Sequence, residues 1–285
     1  MVTIISIFDR HEDFIKLQYN SIKKYVRGNY EYIVFNNAST NDQSKRNEVV
    51  CEELGIKNIK ISVNYNTQPS YIAGNALNES FKYLNKKYVF KIDSDMFFIN
   101  DFNVDELFNH DLFYIPTYQP DKVLMWSGVF GINTQKIDLN LDFRPHVIHG
   151  TDTFGQSSLL TNDDKYTKKH FNLFMIYDVV GNVISGGLNN DCVVEFDGDD
   201  IVKWDKPNNY PIDKINKSNR VIYRYKEMYN ILKKYEFPKP YYLDFIEINN
   251  IKTLIHFKSS NWCEWCTKSY VDSKKRSLIN FLNDN

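Results

Sequence analysis

Residues 87–98 read Lys87-Tyr88-Val89-Phe90-Lys91-Ile92-Asp93-Ser94-Asp95-Met96-Phe97-Phe98. The first half, 87–92, is a short, mostly apolar run of the kind that favours a pleated strand. It breaks at Asp93-Ser94-Asp95 and returns to an apolar run at Met96. In extended chain, side chains two residues apart point to the same side, so Asp93 and Asp95 can face one site. Hard carboxylate donors just past a strand end suit Mg2+ or Mn2+, which keep coordination positions for water and substrate phosphate. Such a metal would neutralise a diphosphate leaving group and act as a Lewis acid. The bland alternative is a solvated Asp-Ser-Asp turn, and the apolar runs on both sides argue against it.

Upstream, strand and helix signals alternate. Residues 2–8 predict a strand. Phe14, Leu17, Ile22, Tyr25 and Val26 recur at roughly helical spacing and predict a helix to about residue 27, stopped by Gly28-Asn29. A strand at 30–36 leads to a polar loop, 36–42, able to cap a helix that runs to Leu54 and closes on Gly55. A strand at 58–63 and a helix over 70–86 complete the approach to 87–92. This alternation predicts βαβ units and a mostly parallel sheet. Ligands of such sheets bind beyond the carboxyl ends of the strands, and the Asp-rich segment sits at one of those ends. Downstream, strands are expected at 112–116, 126–132, 174–180 and 251–257. Residues 141–170 read as mostly loop, and helices are expected at 220–235 and about 268–282.

The 285 residues carry 35 Lys plus Arg against 36 Asp plus Glu, a net charge of −1. That balance argues against holding nucleic acid or an anionic membrane by bulk charge. With 42% hydrophobic residues the chain has ample material for a core. No apolar run approaches the roughly 18 residues of a membrane span, and the opening MVTIISIFDRHED lacks the marks of a signal peptide. A soluble, cytoplasmic protein is the expectation. Four cysteines, Cys51, Cys192, Cys263 and Cys266, are too few and scattered for a disulfide framework. The lone CxxC at 263–266 suits reduced structural thiols better than a zinc or redox site.

Four segments, in order, carry a resemblance. They are IISIFDRHEDFIKLQYNSI (4–22), VFNNASTND (34–42), GNALNESFKYLNKKYVFKIDSDMFF (74–98), and WSGVFGI (126–132) with IHGTDTFGQSSLL (148–160). The chain resembles the nucleotide-sugar-dependent glycosyltransferases of the GT-A fold, nearest the large family-2 type, over roughly residues 2–160. Asn36 or Asn37 stands where that family usually has an acid, Asn75 where it has Lys, and Thr151 where it has Glu.

The resemblance implies a Rossmann-like α/β domain with a mostly parallel central sheet flanked by helices. That domain would cover 1–215, its nucleotide-sugar half about 1–100 and its acceptor half about 101–215, with a helical C-terminal extension over 216–285. It implies Mn2+ or Mg2+ as cofactor, a nucleoside-diphosphate sugar as donor (UDP ahead of GDP or dTDP), a glycan acceptor and inversion by single displacement. It places Asp95 on the metal, and Asp93 on the metal through water or on the sugar and ribose. Phe8, Asp9, Asn36 and Asn37 would cradle the nucleoside, although Phe8 also reads as core. Asn75 and Asn78 would meet ribose or phosphate, unless Asn78 only bonds within its helix. Asp152 would be the general base, or else a helix N-cap. His146 and His149 flank it, and Asp191 is the second choice. His256 would complete the metal shell, or be merely packed, with Lys258 on the diphosphate. Trp126, Tyr118, Trp262 and Trp265 are candidate sugar platforms.

Two other readings share these features. A sugar-nucleotide nucleotidyltransferase would need a Gly-rich phosphate loop after the first strand, where this chain has Phe8-Asp9-Arg10-His11-Glu12. A non-catalytic module that binds nucleotide sugar or glycan would tolerate the changes at Asn36, Asn75 and Thr151.

Overall fold

The computed structural model describes residues 1–84, 88–119, 122–137, 141–145, 154–177, 193–197, 200–205, 230–238, 242–257 and 267–284. The chain divides into two units, Met1–Asn172 and Leu173–Asn285. In the first, strands β1 (Val2–Phe8), β2 (Val26–Arg27), β3 (Tyr30–Asn36) and β4 (Lys57–Lys60) alternate with helices α1 (Glu12–Tyr25) and α2 (Asn41–Leu54). Helix α3 (Pro69–Phe81) leads to β5 (Tyr88–Ile92), β6 (Met96–Phe98) and β7 (Phe102–Asn103). Then come β8 (Leu112–Gln119), β9 (Lys122–Asn133), the short helix α4 (Ser158–Thr161) and β10 (Lys168–His170).

Among the described residues, seven strands form one sheet in the order β10-β8-β9-β5-β1-β3-β4. β1 pairs in parallel with both β3 and β5, β3 with β4, and β8 with β10. Only β9 runs against its neighbours β5 and β8. This is the expected mostly parallel α/β sheet. The four parallel strands stand in the order β4-β3-β1-β5, so the chain builds outward from β1 to β4 and returns through α3 to the other side. The strand order therefore reverses between β1 and β5, and in open α/β sheets the crevice at such a point takes the ligand.

The local signals explain most boundaries. Thr40 caps α2 by accepting from Gln43 N at 3.2 Å, and Gly55 closes it at φ 65. Helix α1 ends at Tyr25 rather than 27, because Val26 and Arg27 pair in parallel with Phe102 and Asn103. Gly28 then turns the chain at φ 99, with Val104 and Asn103 side chains against its Cα. Helix α3 stops at Phe81, short of 86. Strand β10 lies inside the stretch read as loop, since Lys168-Lys169-His170 offers no apolar alternation.

One apolar cluster joins Ile5, Ile33, Phe35, Val89 and Phe130 of the sheet to Ala76, Leu77 and Phe81 of α3. Phe143, Phe154 and Leu160 complete it. Full burial of each such side chain is worth about 1.5–3 kcal/mol. The Gly-x-Ala-x-Asn pattern of α3 has a packing cause. A Cβ on Gly74 would lie 2.6 Å from Arg144 Cα, so only glycine admits the 143–144 backbone. Ala76 is buried beneath, and Asn78 donates to Asp142 Oδ1 at 3.0 Å and accepts from Phe143 N at 2.9 Å.

In the second unit, β11 (Asn172–Tyr177), β12 (Val193–Asp197), β13 (Asp200–Asp205), β14 (Tyr242–Ile248) and β15 (Ile251–His256) precede helix α5 (Lys268–Asp284). β11, β14 and β15 are hydrogen-bonded neighbours in that order. β14, absent from the expectations above, is antiparallel to β15 across a turn with Asn249 and Asn250 at φ 52 and 65, a backbone that Asn tolerates. β12 and β13 form an antiparallel pair that ends on Asp197 and Asp200. Helix α5 turns Lys274, Ser277, Leu278 and Phe281 inward, with Phe281 edge-on to Tyr235 at 5.2 Å. Of the helix expected at 220–235, residues 230–234 are helical and 220–229 lie outside the described residues.

Asp142 carries a pH signature. The Arg144 guanidinium grips both its oxygens at 2.5–2.9 Å, and with the Asn78 amide this outweighs burial and holds the carboxyl down to about 2. A folded-state value below the unfolded one contributes stability above the ordinary carboxylate range, which is lost as pH falls toward 2. Urea unfolding at stepped pH from 5 to 2 should therefore show a steeper loss for the wild type than for Asp142→Asn.

Candidate functional site

The carboxyl ends of β1, β3 and β5 lie together by register: Phe8 is beside Asn36, and Ile5 beside Lys91. Asp9 follows β1, Asn37 follows β3 and Asp93 follows β5. The loop 93–95 is held from below by α1. Gln18, fully buried, donates from Nε2 to Asp93 O and to Met96 O, each at 2.7 Å. Tyr32 of β3 donates to Gln18 Oε1 at 2.6 Å, and burial pushes its phenol far above the ordinary range, so it stays a donor. Ser21, one turn further along α1, accepts from Phe98 N at 3.1 Å, and Ser6 of β1 donates to Ile92 O at 3.0 Å. Both flanks of the acidic loop are thus anchored in the β1-α1-β3 unit.

The loop's side chains differ in environment. The Asp95 residue is 8% exposed, whereas the Asp93 side chain is 39% exposed. Lys91, 4% exposed within β5, donates from Nζ to Asp93 Oδ1, to Ser127 O, and to Gly128 O at 3.3 Å. Trp126 lies against Gly128, where a Cβ would meet the indole at 2.4 Å. Sequence reasoning passed over Lys91 and Gln18. The available signals were a cation inside an apolar strand and an amide on the inward face of an amphipathic helix.

At the other end of the crevice, Asp9 Oδ1 accepts from Ser39 N at 2.9 Å, tying the loop after β1 to the loop after β3. His11 beyond it adopts φ 68, a left-handed conformation that costs a histidine energy. Asn36 is fully buried and makes four hydrogen bonds within the protein, to Ser44 O, Ser44 Oγ, Ala38 N and Asn47 Nδ2. Tyr65 donates to Asn37 O and Oδ1, and burial with the Asp9 charge pushes its phenol up to about 12. Phe8 is fully buried in the core, Asn75 is half-buried on α3, and Asn78 is committed to the 142–143 backbone as above.

In the second unit, His256 ends β15 opposite Asp244 of β14. Its Nδ1 lies 2.9 Å from Asp244 Oδ2, and both residues are buried. An ionised Asp244 can only accept, so a neutral imidazole here carries its proton on Nδ1 and presents Nε2 as a ligand atom. Asp152, Asp191 and Lys258 lie outside the described residues, as do His146, His149, Trp262, Trp265 and the CxxC. Cys51 is buried in α2, and burial pushes its thiol up to about 12, far from a reactive thiolate. Among the described residues no helix is long and apolar enough to cross a membrane.

No protein-family model matches the chain, and no curated protein sequence matches it. Solved structures that match include the mannosyltransferase PcManGT from Pyrobaculum calidifontis in complex with GDP-Man and Mn2+. It is 13% identical over 59% of this chain and 54% of its own, with a TM-score of 0.43. The galactosyltransferase LgtC in complex with donor and acceptor sugar analogs is 14% identical over 49% of this chain and 61% of its own, with a TM-score of 0.36. Residues 1–349 of S. aureus TarS in complex with UDP are 17% identical over 59% and 60%, with a TM-score of 0.39. The chain spans less than two thirds of the length of each.

Replacing Gln18 by Leu keeps the volume and removes both donors from the acidic loop. Asp93 O keeps Met96 N at 3.1 Å, but Met96 O loses its Gln18 donor and the Tyr32 hydroxyl loses its Gln18 acceptor, and a buried polar group left unpaired costs about 1–3 kcal/mol. Chemical denaturation should show Gln18→Leu well below Tyr32→Phe in stability, because the latter orphans only one acceptor.

Proposed function

We propose that the chain is a metal-dependent glycosyltransferase, moving a sugar from a nucleoside-diphosphate donor to a hydroxyl group of a glycan or other acceptor. One observation carries the reading: the Asp93-Ser94-Asp95 loop is braced by Gln18 at the carboxyl end of β5, beside β1, where the strand order reverses. The donor atoms there are carboxylate oxygens, which fit a hard cation that also takes substrate phosphate. Asp95 would hold Mn2+ or Mg2+, with Nε2 of His256 as a further ligand and Lys258 on the diphosphate. When bound, the cation supplies positive charge against the leaving diphosphate.

The chain's own groups do the rest. Asp93, its Oδ1 bonded to Lys91, accepts from hydroxyls of the sugar or ribose. Asp9 and Asn37, with Asn75 on the phosphate side, line the nucleoside end, while Phe8 and Asn36 support it from beneath. Asp152 takes the proton of the acceptor hydroxyl as its oxygen attacks the anomeric carbon, which inverts that centre. Asp191 is the alternative base. The loop after β1 contains no glycine, which disfavours nucleotidyl transfer. UDP stands ahead of GDP and dTDP as the donor nucleotide.

Thermal unfolding with UDP, GDP and dTDP, each with and without Mn2+, tests the donor site. A ligand at 100 times its Kd adds about 2.7 kcal/mol. One nucleotide should raise Tm only when Mn2+ is present, and Asp95→Asn should lose the shift. No shift with any of the three contradicts the reading.

A further inference from the structure

Lys91, on β5 two residues before Asp93, has no part of its own in the account above. It lies in the middle of the sheet, on β5 between β1 and β9, paired with Ile5 on one side and Phe130 on the other. An ammonium so placed is costly unless its charge and its hydrogens are met. Both conditions are fulfilled. Its three hydrogens have three acceptors, Asp93 Oδ1, Ser127 O and Gly128 O, and Asp93 supplies the countercharge. Two of those acceptors are β9 carbonyls just before Val129, the residue that pairs with Ile92. The ammonium is therefore fixed by backbone that cannot swing away, and it fixes one oxygen of Asp93 in turn.

We propose that Lys91 is a positioning residue: a built-in counter-ion that holds Asp93 by one oxygen, cancels its charge and reserves it from the metal, so that Asp95 alone of the pair binds the cation. The inference rests on the transferase reading above and deepens it. The Lys91, Asp93 and Asp95 set then carries one net negative charge instead of two. A cation meeting so weak a field binds loosely until the diphosphate arrives with its own oxygens, which makes metal and nucleotide binding mutually dependent.

A charge cycle tests this on the purified chain. Mn2+ binding of each variant is titrated without nucleotide, where Asp93 has no ribose to hold, by the electron paramagnetic resonance of free Mn2+; the wild type is titrated again with UDP or GDP, and Tm is recorded for each variant. Asp93→Asn uncovers the Lys91 charge beside the metal and should weaken Mn2+ binding by about tenfold or more. Adding Lys91→Met removes that charge too. The double variant, which replaces a buried ion pair by neutral groups of similar shape, should regain Tm and bind Mn2+ within about threefold of the wild type. Asp95→Asn should abolish binding. A folded double variant that binds no better than Asp93→Asn overturns the proposal, because Asp93 is then itself a ligand. Wild-type protein that binds no Mn2+ with either nucleotide removes the transferase reading instead, whatever the cycle shows.

Discussion

The amide of Gln18 gives one hydrogen to Asp93 O and the other to Met96 O, while its own oxygen accepts from Tyr32. Every polar atom of that side chain is used in a fully buried position, where an unmade bond would be costly. The shape of the acidic loop therefore depends on where α1 lies, and the loop is tied as well to β1 and β3. β1 leads into α1 and contributes Ser6 to the loop's approach; β3 follows α1 and contributes Tyr32. A loop at the mouth of the crevice is in this way specified by the first thirty-odd residues of the chain.

Three buried charges among the described residues are met at short range. Lys91 is met by Asp93 and two β9 carbonyls. Asp111, just before β8, is met by Lys136 at 2.9 Å and by Thr167 N and Oγ1. Burial alone would raise its carboxyl, but those bonds outweigh it and hold the carboxyl low. In the second unit, Lys274 of α5 donates to Phe257 O and lies over the Phe257 ring, next to His256 in sequence. At Lys91 the compensation falls within two residues of Asp95, so charge balance in the sheet also sets the field that a cation would meet.

The elements that were legible in the sequence are those whose cause is local. The strand at 2–8, the cap at Thr40, the stop at Gly55 and the apolar run before Asp93 each carry their reason within a few residues. From them follow the alternation, the parallel sheet and the placement of the acidic pair at a strand end. What was not legible depends on distant partners. Val26 and Arg27 are strand only because Phe102 and Asn103 lie beside them, and β10 is strand only because β8 offers an edge. Gln18 and Lys91 look like ordinary polar residues until Asp93 O, 75 positions away, and Ser127 O, 36 positions away, are brought to them. Asn36 is the reverse case: its type suits a nucleobase, but its bonds to Ser44 and Asn47 belong to the packing of α2.

The central claim is that a divalent cation and a nucleoside diphosphate meet at Asp95, on a loop already shaped to receive them. The most direct measurement is a crystal grown with Mn2+ and UDP or GDP, with diffraction recorded at the manganese absorption edge. The account predicts one strong anomalous peak at bonding distance from the Asp95 carboxylate, with the Gln18 bonds to Asp93 O and Met96 O unchanged. A peak elsewhere, or none at Asp95 with nucleotide bound, would contradict it.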